Sequence, residues 1–460
     1  MRWFWLVGTG FAAVGCRFSD VAPYPTSPDN VIRTSYQDED VQVPPLGDPT
    51  ALATEPGQPS LLAVYLARAL AENRDVQAAR LNVLALKARV PQVTALDDPM
   101  VQNGMWPFPS NAPQYSLMGY MPYELLISQQ FPWLGTLRLR GCVAEKEARV
   151  ALWQLAEAQL AAVAEVKRAY YDARAAAKIQ KILEENRKVS EEIIQIARAR
   201  LVAGGNEQDV LRSEIAVANI DREMALNQRD QAEALAALSR FVHDESDAPL
   251  DVSDDPLALP LPTALEQLTQ IAIAARPNLQ ARLMEIDRDR HEVALAKKRY
   301  WPNLNVGVAY GTMTKINSPS AIADGRDNVG FTLGFNLPIW RGKLDAGVQE
   351  AQFRLLTSTQ RYESERDEAV REVRSLIAEA RAEKQTYDLL NDRIAPKSRL
   401  ALLNAAAGYR AGTLDFVTLN SAREELLAVE VEVTRAEAKL AKALAELEKA
   451  VGTQLETASQ

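Results

Sequence analysis

The chain has 460 residues and a net charge of −9, with 52 Lys and Arg against 61 Asp and Glu. This acidic balance, with no basic patch interleaved with aromatics, excludes nucleic-acid binding as its business. Hydrophobic residues make up 47%, and the bias to Ala, Leu, Glu, Arg and Gln marks long helices.

The chain begins MRWFWLVGTGFAAVGC. Arg2 precedes an apolar stretch from Trp3 to Val14, which is too short to span a bilayer and fits a secretory signal. Ala13-Val14-Gly15-Cys16 resembles a bacterial lipobox, so residues 1–16 predict cleavage before Cys16 and lipidation of its thiol. Plain signal cleavage with an unmodified Cys16 is the alternative. Arg17 after the cysteine favours outer-membrane sorting. Residues 17–58 are rich in Pro, Asp, Ser and Thr and read as an irregular tether. Cys142 is then the remaining thiol, and no intrachain disulfide is expected.

A helix is expected from Leu61 to about Asp97, where Asp98-Pro99 ends it. Strands are expected over 100–107 and 123–131, separated by a loop rich in Pro, Asn and Met. Between Leu137 and Leu201 there is no Pro and one Gly, Gly141; the run predicts one helix of about 95 Å. Residues 202–206 break it, and Gln208 to Phe241 returns, closing a hairpin over 136–242. Residues 243–262 form a connector rich in Pro and Asp. Thr263 to Lys298 is helical, with a break or restart at Ala275-Arg276-Pro277-Asn278. Strands follow over 303–312 and 329–337. In the latter, Val329, Phe331, Leu333, Phe335 and Leu337 alternate with Gly330, Thr332, Gly334 and Asn336, so one face is apolar and the other small or polar. Pro338 is expected to stop that strand. A second hairpin covers 343–451, with its long helix over Leu344 to Ala407 and its tip over 408–413; 453–460 is a tail.

The order repeats. Val76-Gln77-Ala78 matches Leu279-Gln280-Ala281, Phe131 to Gly135 matches Leu337 to Gly342, and Ala203-Gly204 with Asp209 matches Ala411-Gly412 with Asp415. The shared Pro and Gly punctuation implies two duplicated halves, 59–242 and 263–452, each helix–strand–strand–helix–helix.

No apolar run is long enough for a transmembrane helix, so spanning a membrane would fall to strands. Four strands cannot close a barrel, for which about eight is the minimum. Three copies would supply twelve, and long Ala-rich helices also call for partners. Phe131, Trp133, Tyr300, Trp301 and Trp340 cluster where strands meet helices, the place of an interfacial aromatic girdle. The same aromatics would also plug the joint of a soluble fold. That alternative is a lipid-anchored helical scaffold in the periplasm, without a pore.

Several short motifs occur in a fixed order: Asn73-Arg74-Asp75-Val76, Asp98-Pro99, Gln129-Gln130-Phe131-Pro132-Trp133-Leu134-Gly135, Ala275-Arg276-Pro277-Asn278-Leu279, Tyr300-Trp301-Pro302-Asn303-Leu304, Leu337-Pro338-Ile339-Trp340-Arg341-Gly342 and Tyr409-Arg410-Ala411-Gly412. With them the chain resembles the TolC-like outer-membrane efflux family, in particular its lipidated branch that serves metal and drug efflux. The resemblance implies a mainly α fold with membrane β: a homotrimeric twelve-stranded barrel continued by a twelve-helix periplasmic α-barrel. It implies an exit duct, not an enzyme, that works with a periplasmic adaptor protein and an inner-membrane RND-type transporter. It also implies that the tips, Val202, Ala203, Gly204, Arg410, Ala411 and Gly412, dock the adaptor and form the closed aperture. The family's usual acidic aperture positions align with Thr418 and Ser421, so this chain departs from that pattern. Asp209 and Asp415, one turn nearer the tips, could supply acidic rings or act as N-terminal helix acids. Pro396 interrupts the second long helix and has no counterpart in the first, which makes it a candidate hinge for an iris-like opening.

Metal and enzyme readings fail on inventory. His243 and His291 lie in different segments without neighbouring ligands. Met100, Met105, Met118 and Met121 suit a barrel rim better than a copper site. No nucleophile–base constellation stands out, and no cofactor is expected.

Overall fold

The computed structural model describes residues 60–105, 120–202, 204, 206–242, 251–252, 265–314 and 326–453. Cys16, the tether, Ala203 and His243 lie outside them. The helices are α1 (Leu61–Glu72), α2 (Arg74–Thr94), α3 (Thr136–Val202), α4 (Glu207–Val242), α5 (Leu265–Ala275), α6 (Pro277–Lys298), α7 (Arg341–Asp388), α8 (Ala395–Ala411) and α9 (Phe416–Val451). The strands are β1 (Met100–Met105), β2 (Tyr120–Phe131), β3 (Leu304–Thr314) and β4 (Asn328–Phe335). The two expected halves are present in matching order.

Local chemistry sets the boundaries. Ser60 caps α1 by accepting from the Ala63 N–H at 3.2 Å. The expected single helix over Leu61–Asp97 is in fact two, because the Asn73 side chain accepts from the Asp75 and Val76 N–H groups and restarts the chain as α2. Its counterpart is the Arg276 break between α5 and α6, where Pro277 is pre-shaped for a first helical turn. β2 starts at Tyr120, earlier than expected, with a register shift between Tyr120 and Tyr123. β3 starts one residue later and runs on to Thr314. β4 ends at Phe335, short of Leu337, because the Asn303 N–H turns to the Asn336 side chain. Trp106 and Pro107 lie outside the described residues.

The chain divides into two compact units. One includes Asn82–Leu152 and Ala281–Tyr362 and carries the sheet. Its strands run in the order β1-β2-β3-β4, all antiparallel, so β2 and β3 pair across the two halves of the chain. Beside the sheet, Lys146 of α3 pairs with Asp287 of α6 at 3.3 Å and Arg89 of α2 pairs with Glu147 of α3 at 2.8 Å.

The other unit includes Trp153–Gln280 and Glu363 onward and is helical. Its core carries the duplication at the level of single contacts. Leu62, Leu66 and Ala69 of α1 pack on Val166 and Tyr170 of α3 and on Leu238 and Val242 of α4. Leu268 and Ala272 of α5 likewise pack on Val373 and Ile377 of α7 and on Leu447 and Val451 of α9. Each fully buried Leu or Val contributes roughly 1.5–3 kcal/mol. The return helices α4 and α9 both have 36 residues.

Candidate functional site

The sheet presents two chemically distinct faces. Register aligns Val101 with Ile127, Ile127 with Val308 and Val308 with Phe331 in one row. Leu125, Tyr310 and Val329 form the next row, and Phe131, Leu304 and Phe335 another. These residues form a largely apolar face, interrupted by Asn103 and Gln129, with Phe331 84% exposed and Val329, Leu333 and Phe335 all exposed. The opposite face holds mostly small or polar residues, Gln102, Gly104, Ser128, Gln130, Asn305, Gly307, Gly330, Thr332 and Gly334, with Met100 and Leu126 among them. Among the described residues nothing covers the apolar face, and none pairs with the outer edges of β1 and β4 in the four-stranded sheet.

The expected junction aromatics gather at the helix-proximal end of the strands. Trp133 and Trp301 stack with ring centroids 4.9 Å apart, and the Trp133 N–H donates to Asn303 Oδ1 at 3.3 Å. The Tyr300 hydroxyl meets the Asp345 carboxylate, and the Arg341 guanidinium lies 5.6 Å from the Tyr300 ring. Phe131, Trp301 and Trp340 are exposed.

The two hairpin tips pack together in the helical unit. Tyr409 and Phe416 of the second hairpin join Ile193 of α3 in one apolar cluster. The Arg200 guanidinium sits 4.1 Å above the Tyr409 ring. Val202 is 92% exposed, and Gly204, two residues on, has φ +96°. The second tip is shorter than expected: Gly408 stays helical, because α8 continues to Ala411 and ends at Gly412 in the left-handed conformation, φ +76°. Arg410, Ala411 and Gly412 are exposed.

Asp415 is the N-cap of α9 and accepts from the Thr418 N–H at 3.0 Å and from the Thr418 hydroxyl. Those bonds hold its carboxyl below the usual range. Asp209 lies in the first turn of α4 behind Asn206, which accepts from the Gln208 N–H. Asp415 thus caps its helix, and Asp209 stands in the first turn of its own. Thr418 and Ser421 are exposed on α9.

Three groups of this region were not legible beforehand. Arg423 of α9 is buried; it donates to Ser190 Oγ of α3 at 2.9 Å and to Asn420 Oδ1, and burial pushes its pKa down. Glu437 of α9 receives Arg174 and Lys178 of α3 at 3.1 and 2.8 Å. Burial raises the Glu437 pKa, yet hydrogen bonds and charge from the two cations outweigh it and hold the carboxyl below its usual value. Third, a π-helical turn, Leu389–Ile394, separates α7 from α8 directly before Pro396. The Ala395 N–H reaches back five residues to the Leu390 carbonyl. The wider turn accommodates a ring that has no N–H and would crowd the carbonyl four residues earlier.

No helix among the described residues is long and apolar enough to cross a membrane. Among those residues no group of three or more His, Cys, Asp and Glu is placed to hold a metal.

An open sheet whose apolar face is bare among the described residues, in a chain that also carries duplicated helical hairpins, fits a membrane protein that spans by strands. Residues 65–242 and 268–453 match the outer membrane efflux protein family, and the chain belongs to it. It is accordingly an outer-membrane efflux channel of TolC-like fold and not an enzyme. Among solved structures it is similar to the outer-membrane channel OprN, at 20% identity over 85% of this chain and 90% of that one, with a TM-score of 0.71. It is similar to CusC at 18% identity over 90% and 99%, TM-score 0.72. It is also similar to the CmeC outer membrane channel of Campylobacter jejuni, at 16% identity over 90% and 93%, TM-score 0.69. Comparison with curated proteins found no match.

Proposed function

We propose that three copies close a twelve-stranded barrel through the outer membrane, continued by a periplasmic tube of helices. The assembly is a passive exit duct for small molecules, drugs or metal ions delivered by an inner-membrane RND-type transporter through a periplasmic adaptor. One observation carries this reading: among the described residues the apolar face of the sheet is exposed and both edge strands are free. Exposed apolar face belongs in lipid, and free edges invite pairing with another copy. Exposed apolar side chains on the hairpins, among them Leu211, Ile215, Phe353, Leu356, Leu400 and Leu403, supply contact surface for neighbouring copies.

In this assembly Phe131, Trp133, Tyr300, Trp301 and Trp340 lie at the inner membrane–water boundary. Val202, Ala203, Gly204, Arg410, Ala411 and Gly412 meet the adaptor. Asp209, Asp415, Thr418 and Ser421 border the aperture, with the Asp415 charge already engaged in capping α9. The π-turn and Pro396 form the point about which the second hairpin moves. Cys16 carries a lipid that adds to membrane attachment without replacing the strands.

The test is to export the chain behind a signal that has no lipobox and wash the membranes with high salt. The proposal expects the protein to stay in the outer membrane and, once extracted in detergent, to have the mass of three chains. Release by salt as a monomer would overturn it.

A further inference from the structure

β1, β2, β3 and β4 contain one charged side chain between them, Glu124. Register sets it opposite Gly104 on one side and Gly311 on the other. Its sequence neighbours Tyr123 and Leu125 belong to the apolar face, so the pleat turns Glu124 to the small, polar face with Ser128 and Gln130. No described residue pairs with its carboxylate, and two flanking glycines leave it without a cross-strand side chain. A Cβ on Gly311 would lie 2.5 Å from Met121 Sδ, which places the Met121 thioether on the same face beside the acid. Along β2 the acid stands about 24 Å from Phe131, which a strand tilt of about 40° reduces to about 18 Å of height, most of a barrel's apolar band of about 25 Å. Glu124 therefore lies toward the end of the strands away from the helices.

We propose that Glu124 sets the ion preference of the barrel. The inference rests on the trimeric reading above. Three copies place three carboxylates in one ring at the end of the lumen away from the strand–helix junction, and the ring favours cations and cationic solutes over anions. The geometry makes the effect depend on salt. Twelve strands about 4.8 Å apart and tilted about 40° enclose a radius near 12 Å. The Debye length is about 30 Å at 0.01 M salt and about 3 Å at 1 M, so the ring commands the whole lumen in dilute salt and little of it in concentrated salt.

The first test is the reversal potential of the purified trimer in a planar bilayer under a potassium chloride gradient. The wild type is expected to prefer potassium in dilute salt. Glu124→Gln should lower the potassium-to-chloride permeability ratio at least about threefold there, and Glu124→Asp should retain it. Both variants should keep the trimer mass and the discrete steps. A Glu124→Gln trimer that conducts with the wild-type reversal potential overturns the proposal while leaving the duct intact. The second test does not depend on an open aperture. Glu124→Cys in intact outer membranes should react from outside with a charged, membrane-impermeant thiol reagent, and Leu125→Cys should not. Cys142 is buried and gives a low background. Failure of Glu124→Cys to label, in a protein that is trimeric and resists salt extraction, also overturns the assignment.

Discussion

Replacing Glu437 by Gln tests whether α3 and α9 are joined by charge as well as by apolar packing. The Arg174 and Glu437 side chains are 6% and 8% exposed, and both carboxylate oxygens are engaged, one by Arg174 and one by Lys178. Gln keeps the shape but removes the charge and turns an amide toward two cations. Breaking a buried ion pair costs about 3–5 kcal/mol. Arg174 keeps other contacts, and Lys178 is 42% exposed, so the lower end of that range applies. The assay is urea unfolding in detergent followed by far-UV circular dichroism. A loss of about 3 kcal/mol is expected at pH 7. The double replacement Arg174→Met with Glu437→Leu should lose less than the single one, because it leaves no buried charge behind. The pH dependence has a definite sign. The folded carboxyl is held below the usual 4.5, so its contribution is complete above that pH and is lost as pH falls through the folded value. Glu437→Gln should lack this part of the acid destabilisation. A change under about 0.5 kcal/mol, typical of a surface site, with an unaltered acid limb would refute the reasoning.

Gly141 is the glycine within α3, and a Cβ there would lie 2.6 Å from Thr94 Cγ2 of α2. Gly141→Leu should cost about 1–3 kcal/mol by overpacking, while Gly141→Ala combined with Thr94→Ser should equal or exceed wild-type stability in the same assay. The Tyr409 hydroxyl is buried without a hydrogen-bond partner among the described residues, so Tyr409→Phe should be neutral or stabilising, whereas Tyr409→Ala should cost about 3–5 kcal/mol. Asp415→Asn preserves the cap of α9 and should leave both thermal unfolding and ion preference as in the wild type; a shifted reversal potential would show that the Asp415 charge reaches the conduction path. Pro396→Ala removes the cause of the π-turn and should reduce the frequency of channel opening in bilayers, so an unchanged opening frequency would count against the hinge.

The punctuation visible in the chain marks where backbone chemistry is forced. Pro277 marked the break that separates α5 from α6, because proline has few alternatives there, whereas Gly408 reads as the start of the second tip and yet the helix runs on to Ala411. The Asn73 break lacked such a mark, since an asparagine in an apolar periodic run is equally at home on a helix surface. Strand alternation was plain in β4 because both of its faces are chemically uniform. It was weaker in β1, where Met, Gln and Asn serve either face. The tips were legible as positions, but their packing was not: Arg200 over Tyr409 and Arg423 against Ser190 join residues that sit far apart in the chain. Pro396 was visible, but the π-turn that admits it was not, because the wider turn depends on how the helix relaxes around the ring. Glu124 could have been found as the single charge in an alternating strand, and it became informative only once the register gave it a glycine on either side.

The central claim is that exposed sheet faces and free edges close into a conducting trimer. Single-channel recording of detergent-extracted protein in a planar bilayer, with oligomer mass measured on the same sample, tests it most directly. The account predicts the mass of three chains and discrete conductance steps. A monomer that neither inserts nor conducts would contradict it.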